Sequence, residues 1–84
     1  MNRAELKARL EEERIDPRFY SIRGLTRPPI AEQGVLGKDG DNWVVHYFER
    51  GRRNNLMVFE SVDQACRYFL EWVLSLPELR LKQP

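Results

Sequence analysis

An 84-residue chain with 42% apolar and 32% charged side chains has the composition of one small globular domain with a heavily solvated surface rather than of a disordered segment. Folding at this length buries about 60–65% of the extended chain's surface, enough for one modest core but not for a core plus a deep substrate cleft. Fourteen Lys and Arg stand against 13 Asp and Glu, a formal net charge of +1, so no global field draws the chain to nucleic acid or to an anionic membrane.

The first segment, Met1 to Arg14, is charged throughout and lacks the apolar region of a secretion signal. It sets Leu6 and Leu10 one turn apart, which predicts an amphipathic helix. Asn2 followed by Glu5 has the spacing of a capping box, and Asp16-Pro17 is the expected stop, because proline disfavours helix in the residue before it. Arg18 to Ile22 carries Phe19, Tyr20 and Ile22 and reads as a strand. Gly24 and Thr26-Arg27-Pro28-Pro29 then form an irregular loop, and Ala31 to Lys38 holds a second strand weakened by Gly34 and Gly37.

The strongest strand signal is Trp43 to Arg50, opened by the turn Asp39-Gly40-Asp41-Asn42. Trp43, Val45 and Tyr47 fall on one face and Val44, His46 and Phe48 on the other. Gly51 to Asn55 turns the chain, and Leu56 to Glu60 returns it as an antiparallel neighbour. Ser61 begins the final helix, on which Val62, Ala65, Cys66, Phe69, Leu70, Val73 and Leu74 recur at the helical period. Tyr68 and Trp72 lie one turn apart beside that stripe, and are read first as packing against the first helix and alternatively as an exposed aromatic pair of the kind that anchors interfaces. Pro77 ends the helix, leaving residues 76–84 as a frayed tail.

The sum is a single domain, 1–84, of α+β class: a three- or four-stranded antiparallel sheet with the N-terminal and C-terminal helices packed on one face. No apolar run approaches the roughly 20 residues that cross a bilayer. With only one cysteine, Cys66, no disulfide framework is available, which fits a reducing cytosol and no membrane partner.

Little in the chain points to catalysis, and the expectation is that the protein is not an enzyme. His46 is the only histidine and Cys66 the only cysteine, the former read as a packed strand residue and the latter as an inert group on the helix stripe. One Cys and one His fall short of a zinc set, the Asp39–Asp41 loop lacks the length and terminal Glu of an EF-hand, and no glycine-rich phosphate cradle occurs. No cofactor and no metal are therefore expected. Glu11, Glu12 and Glu13 point in three directions from a helix and read as a solvated face.

The order helix, strands, helix is also that of a double-stranded-RNA-binding domain, but the last helix opens with Asp63 rather than with lysines. Arg50, Arg52 and Arg53 beside Tyr47 and Phe48 form the alternative reading, a small RNA- or nucleic-acid-binding domain. The preferred reading of those arginines is a hairpin tip guarded against aggregation.

Taken together, the opening helix, Asp16 to Ile22, Trp43 to Gly51 and the helix entry from Phe59 to Leu70 resemble small bacterial immunity proteins of contact-dependent and polymorphic toxin systems. The resemblance implies a non-catalytic partner that neutralises a cognate toxin domain by forming a tight complex in the cytosol. Such toxins often carry basic clefts, so Asp39, Asp41 and Glu49, with Tyr47 as an aromatic anchor, are the candidate partner-binding residues.

Overall fold

The computed structural model describes residues 1–30 and 32–81. Its elements run α1 (Arg3–Glu12), β1 (Tyr20–Ile22), β2 (Gln33–Asp39), β3 (Asn42–Glu49), β4 (Arg52–Phe59), α2 (Val62–Leu74) and a 3₁₀ turn (Pro77–Leu79). The four strands form one sheet in the order β1-β2-β3-β4. This is the expected α+β architecture with a helix at each end, and it differs in one pairing: β1 lies parallel to β2, so the sheet is mixed. Parallel pairing needs a return connection. Because β1 has only three residues, that return spans about 10 Å, and the proline-containing loop suffices without a helix.

Helix α1 begins as a reciprocal capping box, the Glu5 amide donating to Asn2 Oδ1 at 2.8 Å and the Asn2 amide donating to Glu5 Oε1 at 2.9 Å. It ends before Pro17 is reached. Arg14 adopts φ 59°, its amide donates to Glu11 O and the Ile15 amide to Leu10 O, both at 3.0 Å, which is the Schellman pattern with Arg14 in the position glycine usually fills. Ile15 and Leu10 are both buried, supplying the apolar contact that accompanies it. Both hairpins turn on two residues. Gly40-Asp41 has a positive φ at Gly40, and Arg50-Gly51 has positive φ at both positions, as a type I′ turn requires.

One face of the sheet carries the core. Tyr20, Ile22, Leu36 and Val45 meet Leu6 and Leu10 of α1 and Ala65, Cys66, Phe69, Leu70 and Val73 of α2 in a single cluster. Tyr68 and Trp72 pack elsewhere than on α1: Trp72 meets Phe19 edge-on at 5.9 Å, and Tyr68 lies 5.3 Å from Phe59. Gly34 is the seat of the Trp72–Phe19 pair, since a Cβ there would lie 2.8 Å from Phe19 and 3.0 Å from Trp72.

The segment after α2, expected to fray, is tied back as far as Leu81. The Asp16 amide donates to Leu79 O at 2.8 Å, the Leu81 amide to Arg14 O at 2.7 Å, and the Arg80 guanidinium to Glu13 at 3.1 Å. Residues 82–84 of the expected tail, and Ala31 of the expected second strand, lie outside the described residues.

Candidate functional site

Alternation along the strands sends Ser21, Val35, Gly37, Asp39, Val44, His46, Phe48, Arg53 and Val58 to the face without helices. Asp39 is the cross-strand partner of Asn42, and Arg53 that of Phe48. In a flat sheet six residues of β3 would separate them by about 20 Å. They nevertheless form a bidentate pair, at 2.6 and 2.8 Å, so the sheet is concave along this diagonal. Two features produce the curvature: the inherent strand twist, and a bulge opposite His46 where Asn55 takes φ 55°. The Arg53 guanidinium holds the Asp39 carboxyl below its usual range.

Against this face the chain builds a cleft of about 590 Å³. Val35, His46 and Phe48 line it from the strands, and the loop from Arg23 to Pro29 forms the opposite wall. That wall is held by the Ser21 hydroxyl donating to Arg27 O at 2.8 Å, by the Ile22 amide donating to Thr26 Oγ1 at 2.9 Å, and by the Arg3 guanidinium donating to Arg23 O at 2.6 Å. His46 is 5% exposed, and its Nδ1 has no hydrogen-bond partner. Burial, followed by the nearby Arg53 cation, lowers the imidazole pKa, against the opposing pull of Asp39 and of the Tyr47 backbone. The ring is therefore neutral near pH 7.

These positions bear on reaction chemistry. Cys66 is fully buried in the helix-side core, and burial raises its thiol pKa, whereas His46 lies on the other face of the sheet. Sheet thickness separates the two. Ser21 is on His46's face, but Val35 stands between them in the ladder, placing the two residues roughly 10 Å apart, and the serine hydroxyl is committed to Arg27 O. A nucleophile–base contact of the usual 2.6–3.2 Å span is not formed by either pair.

The four acidic and aromatic candidates do not converge. Asp39 is bound to Arg53, and Asp41 is exposed in the β2–β3 turn. Tyr47 and Glu49 lie about 17 and 23 Å along β3 from Asn42, and alternation turns both to the face opposite that of Asp39. Tyr47 faces the helix side, stacked on Phe19 at 6.3 Å, and Glu49 is half-buried opposite Arg52. The arginine cluster divides likewise: Arg50 occupies the turn, Arg52 faces Glu49, and Arg53 reaches across the concave face.

A surface that residue-by-residue reading passed over is the outer edge of β4. This strand pairs only with β3, and Leu56, Met57 and Val58 are 43%, 42% and 56% exposed. Three consecutive exposed apolar residues alternate between both faces, so this stretch is fully covered on neither face. The available signal was the run Leu56 to Phe59 itself, apolar on both parities at the end of the strand order. Among the described residues, no helix is long and apolar enough to cross a membrane and no group of three or more His, Cys, Asp or Glu is placed to hold a metal ion. No protein-family model, no curated protein and no solved structure matches this chain.

Proposed function

We propose that this chain is a binding protein without a reaction of its own, that its partner is a protein, and that the partner docks along the outer edge of β4. The observation carrying this reading is the open, apolar edge from Leu56 to Val58. Long apolar edges template pairing with another chain and are ordinarily shortened, charged or covered. Here Arg52, Arg53 and the Asn55 bulge guard the first half of the strand, and the second half carries no such guard. An extended segment added there gains main-chain hydrogen bonds, and the exposed side chains supply specificity.

The resemblance to immunity proteins supplies the class of partner: a cytotoxic domain made by the same cell and neutralised in the cytosol. The docking surface then differs from the acidic patch expected from sequence, since Asp39 is already neutralised by Arg53. Asp41, exposed at the hairpin tip, is left to steer association rather than to hold the complex.

Co-expression with the toxic domain encoded beside this chain tests the reading. The wild type rescues growth and forms a one-to-one complex. The double variant Leu56→Lys and Val58→Lys keeps its melting temperature and binds at least about tenfold more weakly, mainly through faster dissociation. Lack of any complex with the wild type removes the function, and unaltered affinity of the folded double variant removes β4 as the docking edge.

A further inference from the structure

The cleft on the concave face is separate from the β4 edge and has a chemistry of its own. Arg23, Arg27, Lys38 and Arg53 line it, and none of the lining residues is an acid. Arg53 is neutralised by Asp39, and Lys38 lies over the Trp43 ring at 5.2 Å. Arg23 and Arg27 make no ion pair among the described residues. A chain with a net charge of only +1 thus concentrates two uncompensated guanidinium groups on one wall of a concavity. Opposite them stand flat or apolar groups, Val35 and the Phe48 ring, with Pro28 and Pro29 on the loop itself.

Three further observations mark a built site rather than a surface depression. The loop is fixed by hydrogen bonds from the Ser21 hydroxyl to Arg27 O, from the Arg3 guanidinium to Arg23 O and from the Ile22 amide to Thr26 Oγ1, and by two prolines whose φ is set, so little ordering entropy remains to be lost on binding. His46, nine-tenths buried where the strands line the cleft, has a ring nitrogen with no protein partner, and buried polar atoms are rarely left so. Gly37 leaves open the space beside it, since a Cβ there meets Val44 at 3.6 Å and Val35 at 3.8 Å, ordinary contact distances.

We infer that this cleft binds a small organic anion of mononucleotide size, with its phosphate against Arg23 and Arg27 and its planar body against Phe48 and Val35. A volume of about 590 Å³ lies within the range of small-ligand pockets. Paired guanidinium groups match phosphate oxygens in geometry as well as charge. The inference is independent of the β4 docking edge, which a ligand in this cleft leaves open.

The test is an amide chemical-shift titration of the full chain with adenosine monophosphate, and in parallel with adenosine, a ten-residue single-stranded oligonucleotide and an acidic peptide. The expected result is saturable shifts at Ser21, Gly24, Thr26, Gly37, His46 and Phe48 with the mononucleotide, and at least about tenfold weaker binding of adenosine. Arg23→Gln with Arg27→Gln weakens mononucleotide binding by a similar factor. Gly37→Leu, which places a side chain in the cleft on a backbone free of positive φ, abolishes it with the fold retained. The inference is overturned if the mononucleotide gives no saturable shifts at millimolar concentration, if the arginine pair and Gly37→Leu leave its affinity unchanged, or if only the oligonucleotide or only the peptide binds.

Discussion

Two glycines three residues apart on β2, Gly34 and Gly37, show how far a single hydrogen's worth of space decides the fold. Added at Gly34, a methyl group meets aromatic rings at 2.8 and 3.0 Å; added at Gly37, it meets methyl groups at 3.6 and 3.8 Å. Gly34→Ala therefore displaces the Phe19–Trp72 pair and costs about 1–3 kcal/mol, as overpacking does. Gly37→Ala is neutral or stabilising by up to about 1 kcal/mol, through the lost freedom of the unfolded chain. Urea unfolding of the two variants side by side checks the contrast. His46 offers a second prediction at this scale. Burial and Arg53 lower its pKa in the folded chain, so between that lowered value and the usual value of about 6.5 the unfolded chain binds more protons. Stability then falls as pH drops through this window and levels off, for this group, below the folded-state pKa. Asp16, Asp39 and Asp63, whose pKa values are lowered chiefly by hydrogen bonds from Arg18, Arg53 and the N-terminus respectively, lose their contribution in a separate window, as pH falls from the ordinary carboxylate range. Thermal melts across roughly pH 4.5–7.5, the range around the ordinary histidine value, slope downward on acidification in the wild type and are flatter in His46→Gln.

At the scale of elements, what the sequence made legible is what depends on near neighbours. Asn2 and Glu5 cap α1, Ser61 caps α2 with its hydroxyl accepting from the Gln64 amide at 3.1 Å, and the apolar stripe of α2 is the buried one. Features set by distant contacts were not legible. The parallel pairing of β1 follows from where the Arg23–Pro29 loop returns the chain, which no local propensity encodes. The end of α1 was misplaced for a different reason. Pro17 is a visible stop, whereas Arg14 has no sequence mark of a left-handed residue and is held there by the Leu10–Ile15 contact and by Leu81 bonding its carbonyl. Because a non-glycine residue in this conformation is strained by about 1 kcal/mol, Arg14→Gly is expected to raise stability by about 0.5–1 kcal/mol. A denaturation midpoint at or below that of the wild type contradicts this assignment of strain.

For the whole molecule, the division of labour follows from one sheet with one covered face. Both helices and the pinned segment to Leu81 serve the covered side, where Phe69, fully buried, is a residue whose truncation to Ala costs about 3–5 kcal/mol. The uncovered side keeps the cleft, and the end of the strand order keeps an edge with no neighbour. The candidate site was only partly legible for the same reason that β1 was: Arg53 and Asp39 meet because the sheet curls, so residues far apart along the ladder became neighbours, and of the four side chains close in sequence Asp39 lies on the open face, Asp41 in the turn, and Tyr47 and Glu49 on the helix side. The edge of β4 became visible once the strand order was known. Hydrogen exchange of the backbone amides, in the free chain and in the proposed complex with a toxic domain encoded beside it, addresses the docking claim most directly. The account predicts that the outward-facing amides between Leu56 and Phe59 exchange rapidly in the free chain and become strongly protected in the complex; a complex in which β4 exchanges as it does alone, with protection gained only elsewhere, contradicts it.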